Sequence, residues 1–141
     1  MRLLVVVLSM LGTIGPIAHM QSASSSRTSR DGVFTEAQDK RGAGIYEREC
    51  STCHGATLKG GEGSPPLTGP DFSANWSGKS IGDLFDKIRQ TMPAPPEEPG
   101  KLTPQQTADV VAHILSVNEC PPGMNELASD LQQLKGIRIA F

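Results

Sequence analysis

Two stretches of the chain repeat apolar residues at the spacing of an amphipathic helix. The first follows a cap formed by Ser80 and Asp83 and is predicted to end near Thr91. Its apolar positions i, i+3, i+4 and i+7 are occupied by Ile81, Leu84, Phe85 and Ile88. A helix with such a stripe buries it against another element, so this segment should pack on a core.

The second amphipathic stretch is predicted to form a helix from Pro104 to about Asn118. Thr103 and Gln106 make a capping box around a proline at the first helical position, which is a strong start signal. Its buried face is formed by Val110, Val111, Ile114 and Leu115.

A third helix is predicted to begin after Thr35, which has Gln38 three residues later as in a capping box, and to run into Cys50. Gly42 and Tyr46 are four residues apart and share one face of it. Because glycine permits the close approach of a second backbone, this face predicts a partner helix, and the helix after the second capping box is the candidate.

Residues 50–54 read Cys-Ser-Thr-Cys-His, the attachment signature of a c-type haem. The two thiols can each bond one vinyl group of the porphyrin, and the imidazole of His54 then lies beneath the iron. Three other interpretations remain: a thioredoxin-like redox pair, half of a zinc site completed by Cys120, or a structural disulfide. No strand-like run precedes Cys50, which disfavours the first of them.

Residues 55–71 are rich in Gly and Pro and are predicted to be a loop along one porphyrin edge. The backbone carbonyl of Pro66 is the candidate acceptor for the Nδ1 proton of His54. A proline turn without haem contact is the alternative. Trp76 is expected against the haem edge or a propionate, or simply in the core, and Cys120 is expected to be a small buried residue.

Met92 is the predicted second iron ligand, because a thioether is a soft donor suited to haem iron. A core methionine that closes a helix is the alternative. His113 is expected to be a packed histidine at a helix crossing rather than a ligand. Four prolines stiffen the loop that follows Met92, namely Pro93, Pro95, Pro96 and Pro99.

Composition fits a small core completed by a cofactor. The 141 residues include only four Phe, one Tyr and one Trp, while 15 Gly and 11 Pro imply much loop. A buried porphyrin would supply apolar surface that these side chains lack. The formal net charge of -2 argues against a nucleic-acid-binding protein.

The chain divides into four predicted parts. Residues 1–20 combine Arg2 with an apolar run and are predicted to be a secretory signal peptide, which would tether the protein to a membrane only if uncleaved. Residues 21–34 are predicted to be a disordered linker, residues 35–120 the folded haem domain, and residues 121–141 an extension that docks on it. Export to the periplasm agrees with the haem interpretation, because bacteria attach haem covalently outside the cytoplasmic membrane.

Over roughly residues 36–120 the sequence resembles a class I monohaem cytochrome c. The resemblance is carried by Gly42-x3-Tyr46-x3-Cys50, the haem motif, Pro66-Leu67-Thr68-Gly69, the Met92-Pro93 step and the last helix. It implies an all-α fold of three to five helices around one covalent haem c. It also implies Cys50 and Cys53 as thioether sites with His54 and Met92 as axial ligands.

With its proline-rich loop after Met92 and the stretch that follows the last helix, the sequence looks most like bacterial periplasmic cytochromes associated with quinoprotein or molybdenum dehydrogenases. This resemblance implies a one-electron carrier and not an enzyme, either free or as a subunit of a dehydrogenase complex. Its partners would be a periplasmic dehydrogenase as donor and an oxidase or other cytochrome as acceptor. The alternative is a haem enzyme or sensor with an open distal position, which needs a polar group such as His113 near the iron. The family usually has an aromatic residue where His113 stands, and Cys120 is unusual in its position.

Overall fold

The computed structural model describes residues 26–61, 63–96 and 98–141, and the predicted signal peptide over residues 1–20 lies outside them. The described residues form an all-helical fold without named strands, which confirms the predicted class. The helical segments are α1 Glu36–Glu49, α2 Ser51–His54, α3 Gly69–Trp76, α4 Ile81–Thr91, α5 Pro104–Val117 and α6 Leu131–Lys135. They outnumber the expected three to five because α2 and α6 are pieces of about one turn. No helix in this part of the chain has the length and apolar character needed to cross a bilayer.

Helices α4 and α5 each begin at a capping box, as predicted. The Ser80 hydroxyl accepts the backbone N–H of Asp83 at 3.0 Å, and the Asp83 carboxylate accepts that of Ser80 at 2.9 Å. Thr103 and Gln106 make the same pair of bonds at 3.2 and 2.9 Å. Each box satisfies two backbone donors that a helix start leaves unpaired.

Helices α1 and α5 cross in close contact at Gly42, which confirms the predicted pairing. A Cβ atom at Gly42 would overlap the carbonyl oxygen of Asp109 and would lie 3.0 Å from the Cβ of His113. Tyr46, one turn further along α1, is only 2% exposed and packs in the same interface. The crossing therefore packs the C-terminal half of α1 against α5 at Asp109 and His113.

The start of α1 departs from its predicted capping box. Thr35 accepts the backbone N–H of Gln38 at 3.1 Å, but the Gln38 side chain does not return to Thr35. Its Nε2 donates to the carbonyl of Leu127 at 3.0 Å, and its Oε1 accepts the Leu127 N–H at 2.6 Å. Gln38 and Leu127 are both buried, so the backbone N–H and C=O of Leu127 both find their partners in one side chain.

Residues 26–34 belong to the folded body, contrary to the linker predicted over residues 21–34. Val33 and Phe34 are 2% and 0% exposed. The N–H of Ser29 donates to the carbonyl of Arg138 at 2.8 Å, and the N–H of Arg138 donates to the carbonyl of Arg27 at 2.8 Å. Two apolar residues give no periodicity, and their burial depends on the distant C-terminal segment, so local sequence does not reveal it.

The segment over residues 121–141 lies against α1 and α4. Helix α6 packs on α4, and the extended residues after it run beside the start of α4. Ile81 donates its N–H to the carbonyl of Ile137, and Ile139 donates its N–H to the carbonyl of Lys79, both at 2.8 Å. Residues 137–139 therefore lie between residues 27–29 and residues 79–81.

A buried carboxylate forms the polar part of the α1–α5 interface. Arg41 donates to both carboxylate oxygens of Asp109 at 3.0 Å, and Gln105 donates to one of them at 2.9 Å. Arg41 also pairs with Glu126 at 2.9 Å. Burial acts to raise the pKa of Asp109, but hydrogen bonds from Arg41, Gln105 and Gln38 outweigh it and lower that pKa.

Gly42→Ala is expected to destabilise the protein by about 1–3 kcal/mol, because the new methyl group collides with the Asp109 carbonyl in the backbone of α5. Gly44→Ala is the matched control on the same helix, since its Cβ would meet only the Arg48 side chain at 3.6 Å. The control should be neutral or up to about 1 kcal/mol more stable. Urea unfolding followed by circular dichroism measures both, and equal effects would contradict the close crossing.

Asp109→Asn is expected to reduce the free energy of unfolding by about 1–3 kcal/mol at pH 7, because a charge-assisted pair is lost. The folded-state pKa of Asp109 is lowered, so its contribution is complete above the ordinary value near 3.9 and disappears as the pH falls through the folded value. The gap between wild type and variant should therefore narrow towards pH 3. Asp86→Asn, at a partly exposed carboxylate on α4 whose hydrogen bond with Gln90 lies at the surface, serves as the control. A gap independent of pH would contradict the assignment.

Candidate functional site

The cysteine motif forms a single helical turn directly after α1. Cys50 ends α1 by donating its N–H to Tyr46 at 2.9 Å, and its own carbonyl then accepts the N–H of Cys53 at 3.2 Å and of His54 at 2.9 Å. Cys50 is partly buried and Cys53 is exposed, and both thiols are free rather than joined in a disulfide. Two free thiols on one turn next to a histidine are what two thioether bonds and an axial ligand require.

His54 is 8% exposed and is fixed by a hydrogen bond from its Nδ1 to the carbonyl oxygen of Pro65 at 2.9 Å. A carbonyl oxygen only accepts, so Nδ1 carries the proton and Nε2 keeps its lone pair for a metal. The prediction of Pro66 as this acceptor is wrong by one residue. Pro66 instead lines an open pocket of about 400 Å³ beside Lys59 and Thr68.

The position of the Pro65 carbonyl depends on how tightly the loop after His54 closes. Gly60 donates its N–H to the His54 carbonyl at 2.9 Å, and Leu67 donates to the Leu58 carbonyl at 2.8 Å. Gly60 has a φ of +83°, and a Cβ there would lie 2.8 Å from the Ser64 carbonyl oxygen. The chain therefore turns back at Gly60, where the backbone of residues 64–66 packs directly against it.

The loop predicted over residues 55–71 ends three residues too late, because helix α3 already begins at Gly69 and continues to Trp76. Pro70 near its start and Asp71 in its first turn are helix-start signals that the surrounding Gly and Pro residues obscured. Trp76 at its end is partly buried, its ring lies 6.1 Å from that of Phe72, and Lys79 Nζ lies 4.9 Å from the Trp76 ring centre. Trp76 therefore occupies the edge of the core, where its expected contact with haem remains a prediction.

Met92 is held at its backbone on both sides. Its N–H donates to Ile88 at 3.0 Å as the C-cap of α4, and its carbonyl accepts the N–H of Gly100 at 3.1 Å. Both ends of the proline-rich loop over residues 93–100 thus meet at Met92. The side chain is partly buried against the core, and its role as an iron ligand remains a prediction.

His113 is a packed histidine at the crossing of α1 and α5, as expected. Its Nδ1 lies 2.8 Å from a carboxylate oxygen of Asp39, and the other oxygen accepts the Ser116 hydroxyl at 2.7 Å. Its ring lies 5.6 Å from that of Tyr46. Tyr46 in turn donates its hydroxyl to the carbonyl of Gly55 at 2.7 Å, a contact beside His54 that no sequence pattern indicated.

Cys120 is a buried residue away from the motif. It is 3% exposed, and its Sγ lies 3.8 Å from the carbonyl oxygen of Ala140. Burial raises the pKa of its thiol. Among the described residues no three His, Cys, Asp or Glu side chains cluster as a metal site, so the structure does not bring Cys120 to the motif as a zinc ligand.

The residues at this site fit a covalently attached haem. The donor set comprises two free thiols and one imidazole whose Nε2 is unengaged, which matches two thioether bonds and one iron ligand. Six apolar side chains in the described part of the chain pack against the core while only partly buried: Cys50, Leu67, Trp76, Met92, Leu131 and Phe141. Such incompletely covered apolar side chains are what a buried porphyrin would cover.

Three comparisons relate the chain to known proteins. The family model described as cytochrome C oxidase, cbb3-type, subunit III matches residues 37–114. The Cbb3-type cytochrome c oxidase subunit CcoP of Rubrivivax gelatinosus is 30% identical over 100 residues, which are 67% of this chain and 30% of that subunit. A chain in the crystal structure of the sulfane dehydrogenase SoxCD from Paracoccus pantotrophus is similar with a TM-score of 0.48 and 23% identity, over 79% of this chain and 59% of that one. The chain thus spans less than a third of the length of the oxidase subunit.

Gly60→Ala is expected to raise the reduction potential of the haem-loaded protein by about 20–60 mV. The new Cβ displaces the backbone near Pro65 and weakens its bond to His54, a loss of about 0.5–1.5 kcal/mol at 59 mV per tenfold. Gly63→Ala is the matched control, because it has the same φ of +83° but nothing lies within 4 Å of its Cβ. Equal shifts in both variants, measured by redox titration, would show that backbone strain alone is responsible.

Proposed function

The chain belongs to the family of the cbb3-type cytochrome c oxidase subunit III, and from this premise we propose that it is a periplasmic one-electron carrier with His54 and Met92 as axial ligands. The family match confirms the resemblance to class I monohaem cytochromes c, and with it a covalently bound haem c and haem-based electron transfer. Cys50 and Cys53 are the proposed thioether sites. When bound, the haem supplies a one-electron couple between ferrous and ferric iron.

The observation that carries the proposal is the hydrogen bond between His54 Nδ1 and the Pro65 carbonyl. It fixes the tautomer that leaves Nε2 able to bind iron, and it raises the basicity of the imidazole. His54 is buried and its Nδ1 is bonded to a backbone carbonyl, so the ring is held in one orientation. A carrier benefits from this rigidity, because ligands that keep their positions cost little reorganisation when the electron moves.

Met92 supports the second ligand assignment through its backbone. The bonds to Ile88 and Gly100 hold its main chain at the end of α4, so its thioether has a restricted range of positions. A methionine opposite a histidine raises the reduction potential of a haem and leaves no open position for a substrate. We therefore assign electron transfer rather than catalysis to this domain.

The alternative of a haem enzyme or gas sensor gains no support from His113. Its Nδ1 is engaged with Asp39 between α1 and α5, and its ring packs on Tyr46. A polar distal group would have to come from another residue.

The proposed partners are redox proteins. A periplasmic dehydrogenase would be the electron donor, and an oxidase or other cytochrome the acceptor, with this domain either free or a subunit of such a complex. The name of the Rubrivivax gelatinosus relative as an oxidase subunit supports a place in a respiratory assembly. Because a carrier must leave each partner after transfer, a free form would use a small docking surface. Export by the predicted signal peptide over residues 1–20 would place it in the periplasm.

Met92→Ala tests the ligand set. The variant is expected to keep its covalent haem, to lose the sulfur-to-iron charge-transfer absorption of the ferric form, and to fall in reduction potential by on the order of 100 mV. The reduced variant should also bind carbon monoxide, which the wild type should exclude. Met124→Ala is the control, since that methionine is 93% exposed. An unchanged spectrum and potential in Met92→Ala would overturn the assignment, and carbon monoxide binding by the wild type would favour the open-site alternative.

A further inference from the structure

Asn118 connects the end of α5 to the loop that follows His54. Its Nδ2 donates to the carbonyl of Leu67 at 2.9 Å and to the carbonyl of Ile114 at 2.8 Å. Both partners can only accept, so the amide nitrogen must face them and the orientation of the side chain is determined. The backbone of Asn118 is itself the C-cap of α5, so the amide extends from a fixed point.

Leu67 is the residue through which this contact reaches the haem ligand. It lies two positions after Pro65, whose carbonyl holds His54. The Leu67 N–H is bound to Leu58 and its C=O to Asn118, so both flanking peptide groups are fixed. The Pro65 carbonyl therefore belongs to a loop that the Asn118 side chain connects to the end of α5.

The geometry points to Asn118 as a positioning residue for the axial histidine. By holding the Leu67 carbonyl it keeps the Pro65 carbonyl within hydrogen-bond distance of His54 Nδ1, and so controls how strongly the imidazole donates to iron. A stronger donor stabilises ferric iron and lowers the reduction potential. The inference rests on the proposed role of His54 as axial ligand, and it adds a residue on α5 that tunes this ligand.

Tyr46 supplies the corresponding contact from α1. Its hydroxyl holds the carbonyl of Gly55, directly after His54. The two ends of the loop are thus attached to two helices that meet at Gly42. Loss of the Asn118 contact should free the Pro65 end while the His54 end stays in place, and this predicts an effect on the hydrogen bond without loss of the haem.

The test uses the full-length protein with haem attached, in the variants Asn118→Ala and Asn118→Leu. Ser116→Ala is the matched control, because Ser116 lies on the same helix and bonds to Asp39 across the α1–α5 interface, not to the loop. Three quantities are measured: the exchange rate of the His54 Nδ1 proton by NMR with labelled histidine, the reduction potential, and the stability to urea.

Asn118→Ala is expected to speed exchange of the Nδ1 proton roughly tenfold and to raise the reduction potential, with the haem still attached. Ser116→Ala should lose stability without either change. If Asn118→Ala leaves exchange and potential unchanged, or if Ser116→Ala alters both as much, Asn118 is only a helix cap and the inference is wrong. Asn118→Leu repeats the test with a side chain of similar size, should the alanine variant fold poorly.

The same spectra separate this inference from the proposed function. In the reduced wild type, an axial His54 must show ring protons strongly displaced by the haem ring current. Their absence would contradict the ligand assignment itself. Displaced His54 signals with unchanged exchange in Asn118→Ala would contradict only the role of Asn118.

Discussion

The close crossing of α1 and α5 at Gly42 is the contact on which the site depends. Because no Cβ intervenes, the backbones meet directly. The helices also form the Arg41–Asp109 and His113–Asp39 pairs across the same interface. α1 ends at the first cysteine of the motif, and α5 ends at the asparagine that holds the following loop. The crossing therefore fixes the distance between the two structures that orient His54.

The sequence predicted the features whose causes lie within a few residues. Both capping boxes of α4 and α5, the apolar stripe of α4 and the haem motif are local patterns, and each appears in the structure where it was expected. The glycine face of α1 predicted a partner because a missing side chain is visible in the sequence. The packed position of His113 followed from its place on that partner.

The features that were missed depend on contacts between distant parts of the chain. Gln38 matched the sequence pattern of a capping box, but its side chain forms hydrogen bonds with the buried backbone N–H and C=O of Leu127 instead. Val33 and Phe34 looked like the end of a linker, but the C-terminal segment covers them. The acceptor for His54 Nδ1 is the carbonyl of Pro65 and not that of Pro66, a difference of one residue in a loop whose backbone packs closely at Gly60 and which composition and spacing do not reveal.

The pairing of residues 27–29 with residues 137–139 has a consequence for the two outer segments of the described chain. The Ser29 hydroxyl donates to the Ala140 carbonyl across 111 positions, whereas the Arg41–Asp109 contact spans 68. Because each doubling of a loop adds only about 0.6 kcal/mol to the cost of closing it, the longer span is closed almost as easily as the shorter one. The two segments therefore lie side by side at little extra cost, and each supplies backbone hydrogen-bond partners to the other.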